Sequence, residues 1–478
     1  MRKGKALTVP AVEVSGYAAE GKALARIDGK VYFIEGAVPG DVADIRLTKN
    51  KKDWAEGKVI RFQKFSADRQ DPFCEHFGIC GGCKWQMLPY EKQLQYKQQE
   101  VEENLRRIGK IELPPFPPIL GANPDREYRN KLEFTFSNRS WLSPEEISVL
   151  PEKTEEDDGA AFFKPALGFH VPKLFDKILN IRHCHLMPEP VNRIRNWVRD
   201  YTLSRQFPYY DIRRHTGWLR NLTFRYCTTG ELMVNLVVAP GWDELRTRLL
   251  EDLYAAFPGI TSLYFTVNPK VNDSLHDLEP VLFRGQAWVT ERLGRLTFRI
   301  GPISFFQTNT RQAERLYEIT RHFAGLAGSE TLYDLYCGTG SIGLFCSDVA
   351  EKVVGVEVIE AAVRDARENA EANGIRKARF FSGDVVNVCT DDFFEREGRP
   401  DVIITDPPRA GMHEALVRKI LEIGAPRVVY VSCNTATQAR DLQALQHRYE
   451  VTALQAVDMF PHTHHIENVA QLTLRNLS

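Results

Sequence analysis

Along the first 64 residues, apolar and polar positions alternate in short runs broken by glycine, a pattern of strands rather than helices. The runs are Ala11–Val14, Ala23–Ile27, Lys30–Ile34, Val42–Thr48 and Gly57–Phe62. With turns at Gly16, Gly29 and Pro39-Gly40, they predict a small β-barrel of the OB type. The period then changes. Leu94, Val101, Leu105 and Ile108 recur at helical spacing, and Gly109 and the prolines beyond Leu113 end that helix. Residues 120–300 alternate short strands with loops and show no repeat, which reads as an α+β middle domain. From about Gly301 the order becomes regular. A helix carries Ala313, Leu316, Tyr317 and Phe323 on one face, and strands follow at Leu332–Leu335, Val353–Glu357, Ala378–Ser382, Val402–Thr405, Val428–Ser432, Val451–Asp458 and Val469–Leu474. Helices fit between the first six, and the last two strands follow each other directly. This predicts an α/β, Rossmann-like sheet of seven strands that ends in an antiparallel pair. The expected domains are 1–64, 65–300 and 301–478.

Composition adds little to this picture. The chain has 478 residues, is 43% hydrophobic and 26% charged, and carries a formal charge of −1, ordinary for a soluble globular protein. No apolar run is long enough to span a bilayer and the N-terminus lacks a signal-peptide core, so the expectation is a cytoplasmic protein without membrane contact, and a monomer. Its nine cysteines then read as ligands, nucleophiles or core residues rather than disulfides. Local charge is less even. Residues 1–64 hold 13 Lys/Arg against 8 Asp/Glu, Arg213, Arg214, Arg220 and Arg225 crowd another stretch, and Glu155, Glu156, Asp157 and Asp158 read as a solvated acidic loop.

After the first strand of the regular region stands Asp334-Leu-Tyr336-Cys-Gly338-Thr-Gly340-Ser341. Gly338 and Gly340 let the backbone turn tightly and approach a ligand, and a helix begins at once. Glu357 closes the next strand, placed to accept hydrogen bonds from a ribose. A nicotinamide enzyme would use glycines and an acid in the same way. The following strands favour S-adenosylmethionine: Asp384 ends strand three, where adenine is contacted, and Asp406-Pro-Pro-Arg409 ends strand four at the switch point of the sheet. Alone, Glu357 could be a solvated strand end and Asp384 a helix N-cap.

Val431-Ser-Cys433-Asn434 ends strand five, and His464-His465-Ile-Glu467 precedes strand seven, so both open onto the cofactor edge. A thiol and a carboxylate there suit methylation of a carbon that is itself a poor nucleophile. For C5 of uracil, a thiolate adding to C6 makes an enolate, and a base must afterwards remove the C5 proton. Separately, Cys74, Cys80 and Cys83 form a C-x5-C-x2-C group, with Cys184 about a hundred residues on. Closely spaced thiolates suit zinc or an iron–sulfur cluster, and three neighbours with one remote ligand fit the cluster better. Aromatic and basic residues mix at Tyr128, Arg129, Lys131, Phe134 and Phe136, and again at Arg213, Arg214, Trp218 and Arg220. Both stretches are candidate RNA contacts, or else aromatic core with solvated charge. Arg409, beside the acceptor, is a further candidate.

SFFQTN (Ser304–Asn309), DLYCGTG, DPPRAG (Asp406–Gly411), VSCN and PHTHHIE (Pro461–Glu467) together resemble the RNA uracil-5-methyltransferase family. The stretch GYAAEGKALARIDGKVYFIEGAVPGDVADIRL resembles a TRAM domain, an RNA-binding barrel. The resemblance implies a class I methyltransferase fold with Cys433 as nucleophile and Glu467 as proton acceptor. It further implies Gln307, Tyr336, Ser341, Glu357 and Asp406 as cofactor contacts, and a [4Fe–4S] cluster on Cys74, Cys80, Cys83 and Cys184. With the barrel, that cluster implies bacterial enzymes acting on 23S ribosomal RNA rather than transfer RNA. One departure stands out: Thr435 occupies the place of the family's usual proline after Ser-Cys-Asn, which questions how rigidly that turn is held. A cytosine-5-methyltransferase would carry a second cysteine in the strand-four loop, and an amino-group methyltransferase an aromatic after Pro-Pro. A non-catalytic RNA-binding scaffold would not need the thiol and the carboxylate.

Overall fold

The computed structural model describes residues 7–149 and 164–475, so the acidic run at 155–158 lies outside the described residues. The first sheet comprises β1 (Thr8–Glu13), β2 (Gly16–Ala18), β3 (Lys22–Ile27), β4 (Lys30–Glu35), β5 (Val42–Asn50) and β6 (Trp54–Lys64), in the order β1-β5-β6-β4-β3-β2. Val12, Val14, Ala23, Ala25, Ile34 and Ile45 point inward and form its core. Five strands were expected. The sixth, β2, occupies the place of the Gly16 turn and pairs with Lys22–Leu24; three residues are too few to show an alternation.

Helix α1 (Tyr90–Arg107) forms where the spacing predicts it, but its buried face differs. Gln93, Lys97, Val101 and Leu105 are buried, at i, i+4, i+8 and i+12, whereas Ile108 is exposed. Two polar side chains take positions an apolar stripe would assign to leucine, because partners elsewhere in the chain satisfy them.

The middle region is built from β7 (Lys131–Ser137), α2 (Pro144–Ser148), β8 (Ala166–Val171), β9 (Leu174–Asn180), α3 (Glu189–Ser204), β10 (Leu219–Tyr226), β11 (Leu232–Val238), α4 (Asp243–Ala256), β12 (Ser262–Val267) and β13 (Val281–Gly285). Its strands make one mixed sheet, β13-β12-β11-β10-β7-β8-β9. Residues of α3 and α4 (Val198, Leu250) complete its core with Phe134, Trp218 and Phe224. A hairpin, β14 (Val289–Leu293) and β15 (Leu296–Ile300), packs instead with Leu316 and Leu332 of the last unit.

That unit runs α5 (Thr310–Ala324), β16 (Thr331–Leu335), α6 (Ser341–Cys346), β17 (Lys352–Glu357), α7 (Glu360–Ala372), β18 (Ala378–Ser382), α8 (Val385–Val388), α9 (Asp391–Glu397), β19 (Val402–Thr405), α10 (Glu414–Ile423), β20 (Arg427–Ser432), α11 (Thr435–Leu445), β21 (Tyr449–Val457) and β22 (Glu467–Leu474). The sheet order is β18-β17-β16-β19-β20-β22-β21, with β22 antiparallel to both neighbours. Seven strands and the closing antiparallel pair match the sequence pattern. The central strands read as continuous apolar runs because helices cover both faces. Reversal of order beside β16 opens a crevice at the carboxyl ends of the strands.

Candidate active site

The crevice begins at the turn after β16. Tyr336, Gly338 and Gly340 all take positive φ (60°, 52° and 76°). A Cβ on Gly340 would sit 2.8 Å from the Phe380 ring, so glycine is required there twice over. Asp334 holds the turn to the following helix by accepting Gly343 N–H at 2.8 Å, and burial pushes its carboxyl up to about 7. Glu357, also buried, accepts from Gly338 N at 3.2 Å and from Ile359 N at 2.9 Å, so it braces the loop it shares a rim with. Asp384 spends one oxygen capping α8 (Val386 N, 2.9 Å), and its other oxygen lies 3.9 Å from His413 Nε2. Asn130 fixes the segment before α5, donating to the Gln307 carbonyl and to Thr310 Oγ1 at 2.8 Å each. Ser341 Oγ lies 2.9 Å from the hydroxyl of Tyr317, a residue the sequence marked only as apolar helix face. Tyr317 feels Asp406, Asp334 and Glu467 together, and burial foremost holds its hydroxyl protonated.

Strand pairing brings the two reactive candidates together. The β20–β22 ladder ends with Ser432 opposite Asn468, Cys433 follows the one and Glu467 precedes the other, and the Glu467 charge acts on the Cys433 thiol. The Cys433 thiol is pushed up to about 11, by burial first and then by Glu467 and Asp406, while the Arg409 guanidinium, hydrogen-bonded to it, opposes them. Glu467 is raised well above the usual carboxylate range by burial and then by Asp406, and Asp406 itself is pushed up to about 7 by burial. Asn434 ties the two loops: its Nδ2 donates to the Arg409 carbonyl (3.0 Å) while its Oδ1 caps α11. Burial lowers His464 to about 4 and His465 to about 3, so both are neutral imidazoles, and Arg409 Nη2 lies 3.0 Å from His465 Nδ1.

The four candidate cysteines line one cavity of about 180 Å³ with His76, His183 and Arg129. Burial raises Cys80 to about 11 and Cys83 to about 12, and in each case the other thiols of the group add to it. Among the described residues, no three His, Cys, Asp or Glu side chains converge on a point that could hold a single metal ion.

Several candidate RNA contacts are core residues instead. Phe134 and Phe136 are buried, the first stacked on Phe169 at 4.7 Å. Tyr128 is buried with its hydroxyl donated to the Pro461 carbonyl. Trp218, Arg220 and Arg225 are buried too, Arg220 paired with Asp273 at 2.8 Å. A mixture of aromatic and basic residues on a strand is thus met here by an interior in which carbonyls and a carboxylate accept from Arg220 and a carbonyl accepts from Arg225. Arg129 and Lys131 stay partly exposed. Phe305, two residues before Gln307, is 68% exposed.

A family model described as tRNA (Uracil-5-)-methyltransferase matches residues 285–475, and a TRAM domain model matches residues 8–60. An RNA methyltransferase of Bacteroides thetaiotaomicron is 50% identical, covering 96% of this chain and 100% of the relative. One from Porphyromonas gingivalis is 46% identical, over 97% and 100%. Among solved structures, the tRNA (uracil-54, C5)-methyltransferase of Pyrococcus abyssi in complex with S-adenosyl-L-homocysteine is similar with a TM-score of 0.73 and 26% identity, covering 97% of this chain and 100% of its own.

Proposed function

Because the chain belongs to the RNA uracil-5-methyltransferase family, whose members use S-adenosylmethionine, we propose that it methylates C5 of a uracil in 23S ribosomal RNA through a covalent bond between Cys433 and C6. The observation that carries this reading is that the β20–β22 ladder ends one residue from Cys433 and from Glu467, and that Glu467 and Asp406 both act on the Cys433 thiol. Bound S-adenosylmethionine supplies an electrophilic methyl group beside Asp406. Tyr336, Gly338, Gly340, Ser341, Glu357, Asp384 and Gln307 line its side of the crevice, the first three through a backbone that only a tight turn allows. Cys433, with Arg409 favouring its thiolate, adds to C6 of the uracil. The C6–S bond pushes electrons to C5, which takes the methyl; Glu467 then accepts the C5 proton, and the thiolate leaves as the ring regains its double bond. A target uracil must leave its stack to reach the thiol.

The labour divides as 1–64 for RNA binding, 65–300 for the cysteine site and further RNA contacts, and 301–478, joined by the 289–300 hairpin, for methyl transfer. Cys74, Cys80, Cys83 and Cys184 hold a [4Fe–4S] cluster that ties the cysteine loop to the middle sheet. The cavity the four thiols share supports this. Arg129, Lys131 and Arg409 remain RNA contacts in this reading. A second reading, transfer RNA, is favoured by the Pyrococcus abyssi enzyme, whose likeness extends over 97% of this chain. The test is incubation with unmodified 23S RNA and with transfer RNA, followed by nucleoside analysis. 5-Methyluridine in 23S RNA alone supports the first reading, and in transfer RNA alone the second. 5-Methylcytidine contradicts both.

A further inference from the structure

Helix α1 lies outside the segment matched by the methyltransferase family model, yet its buried face grips both loops that carry the reaction. At its N-terminal end the grip is on the loop before Glu467. Tyr90 donates to Asp458 Oδ2 at 2.9 Å, and Lys97 Nζ donates to Asp458 Oδ1 at 2.7 Å, with both ends of that ion pair fully buried. Gln93 accepts His462 N–H at 2.9 Å and sits 3.1 Å from His462 Nδ1. Just upstream, the Lys84 and Trp85 N–H groups donate to the His462 carbonyl. At the other end Asn104 Nδ2 donates to Thr435 Oγ1 at 2.8 Å, two residues after Cys433. Between these ends, Val101 and Leu105 pack in one core with Ala439 and Leu442 of α11. Residues 97 and 104 are seven apart, so the two grips lie on one face about 10 Å apart along a rigid rod.

The energetics point the same way. A fully buried ion pair adds little stability over well-packed apolar side chains, and its best-attested use is to fix register. Here it fixes where along α1 the 458–462 segment docks. Thr435 begins α11, where a proline would stiffen the turn by itself. With threonine there, the hydrogen bond from Asn104 does the stiffening.

We propose that α1 is a positioning brace for methyl transfer: Tyr90, Gln93 and Lys97 set the loop that leads to Glu467, Asn104 sets the turn after Cys433, and one helix thereby fixes the separation of thiolate and carboxylate across the uracil. This rests on the covalent mechanism proposed above. The two ends serve different steps, so they separate kinetically. Asn104→Ala slows formation of the adduct with 5-fluorouracil-substituted RNA in the presence of S-adenosylmethionine by about tenfold, since small misplacements of a nucleophile cost that much or more. Adding Thr435→Pro restores the rate, because a ring at the first helical position costs no hydrogen bond and Asn434 is already extended (φ −140°, ψ 99°).

Lys97→Met leaves adduct formation on the fluorinated RNA intact but lowers turnover on ordinary RNA, where the C5 proton must be removed. Tyr90→Phe gives the same split in milder form should the Lys97 variant not fold. Wild-type-like adduct rates in Asn104→Ala overturn the brace, as does failure of Thr435→Pro to restore them. Equal slowing of both steps by Tyr90→Phe also overturns it. Those results leave the mechanism standing, provided the wild type forms the adduct. A wild type that forms none overturns the mechanism and the brace together.

Discussion

Asp406, Cys433 and Glu467 share a desolvated pocket in which each anion makes the next harder to form. A sulfonium brought into that pocket relieves the repulsion, so cofactor binding and proton release are linked. The sign follows from Asp406, raised to about 7: below that pH it is neutral and its attraction for the cation is lost. Affinity for S-adenosylmethionine should therefore rise as pH increases from about 6 to about 8, while S-adenosylhomocysteine, with an uncharged sulfur, should show a smaller rise. Calorimetric titration of both ligands across that range checks it. For Glu467→Gln, turnover should fall by about 10²–10⁴-fold, with a denaturation-stable RNA adduct accumulating on ordinary substrate, because general-base removal of the proton is lost. Adduct bands on a denaturing gel give the readout. Asp406 and Cys433 were legible in the sequence because each follows a predicted strand, and Glu467 because it stands just before one. Tyr317 was not, since a phenol whose hydroxyl turns back to Ser341 sits on a helix face like any apolar residue.

At the scale of elements, the turn after β16 depends on glycine. Gly340→Ala should weaken S-adenosylhomocysteine binding by at least about tenfold, because both the positive φ and the Phe380 contact oppose a side chain. Binding isotherms on folded variant measure this. Phe134→Ala should destabilise the protein by about 3–5 kcal/mol, as loss of a buried aromatic does, and leave RNA affinity of the folded fraction unchanged. Denaturant melts and a binding assay separate the two effects. The seven strands of the last sheet and its closing antiparallel pair followed from the alternation of apolar runs with helices, whereas the order of the strands in the sheet is seen only in the structure. The face of α1 did not, because periodicity scores hydrophobicity, and Gln93 and Lys97 are buried by partners more than 360 residues away in sequence. The same blindness left Phe134 and Arg220 open as RNA contacts or core, and only the mixed sheet shows them enclosed.

The whole molecule couples three units through short bridges. Trp85 Nε1 donates to the Gly21 carbonyl of the barrel at 3.3 Å, while the Trp85 N–H bonds to His462 ahead of Glu467. The cysteine cavity lies on the same stretch of chain, with Cys74 N–H donated to Gln86 Oε1 at 3.1 Å. Cys184→Ser should thus remove the brown chromophore of a [4Fe–4S] cluster and weaken RNA binding together; colourless protein with full activity would remove any role for the cluster. Absorbance and a filter-binding assay report on the two properties. The measurement that bears most directly on the central claim is mass spectrometry of the protein after reaction with 5-fluorouracil-substituted RNA and S-adenosylmethionine. A methylated fluorouridine attached to Cys433, absent in Cys433→Ala and absent without cofactor, is the predicted result. Methyl transfer to ordinary RNA by Cys433→Ala, or an adduct on another residue, would contradict the account.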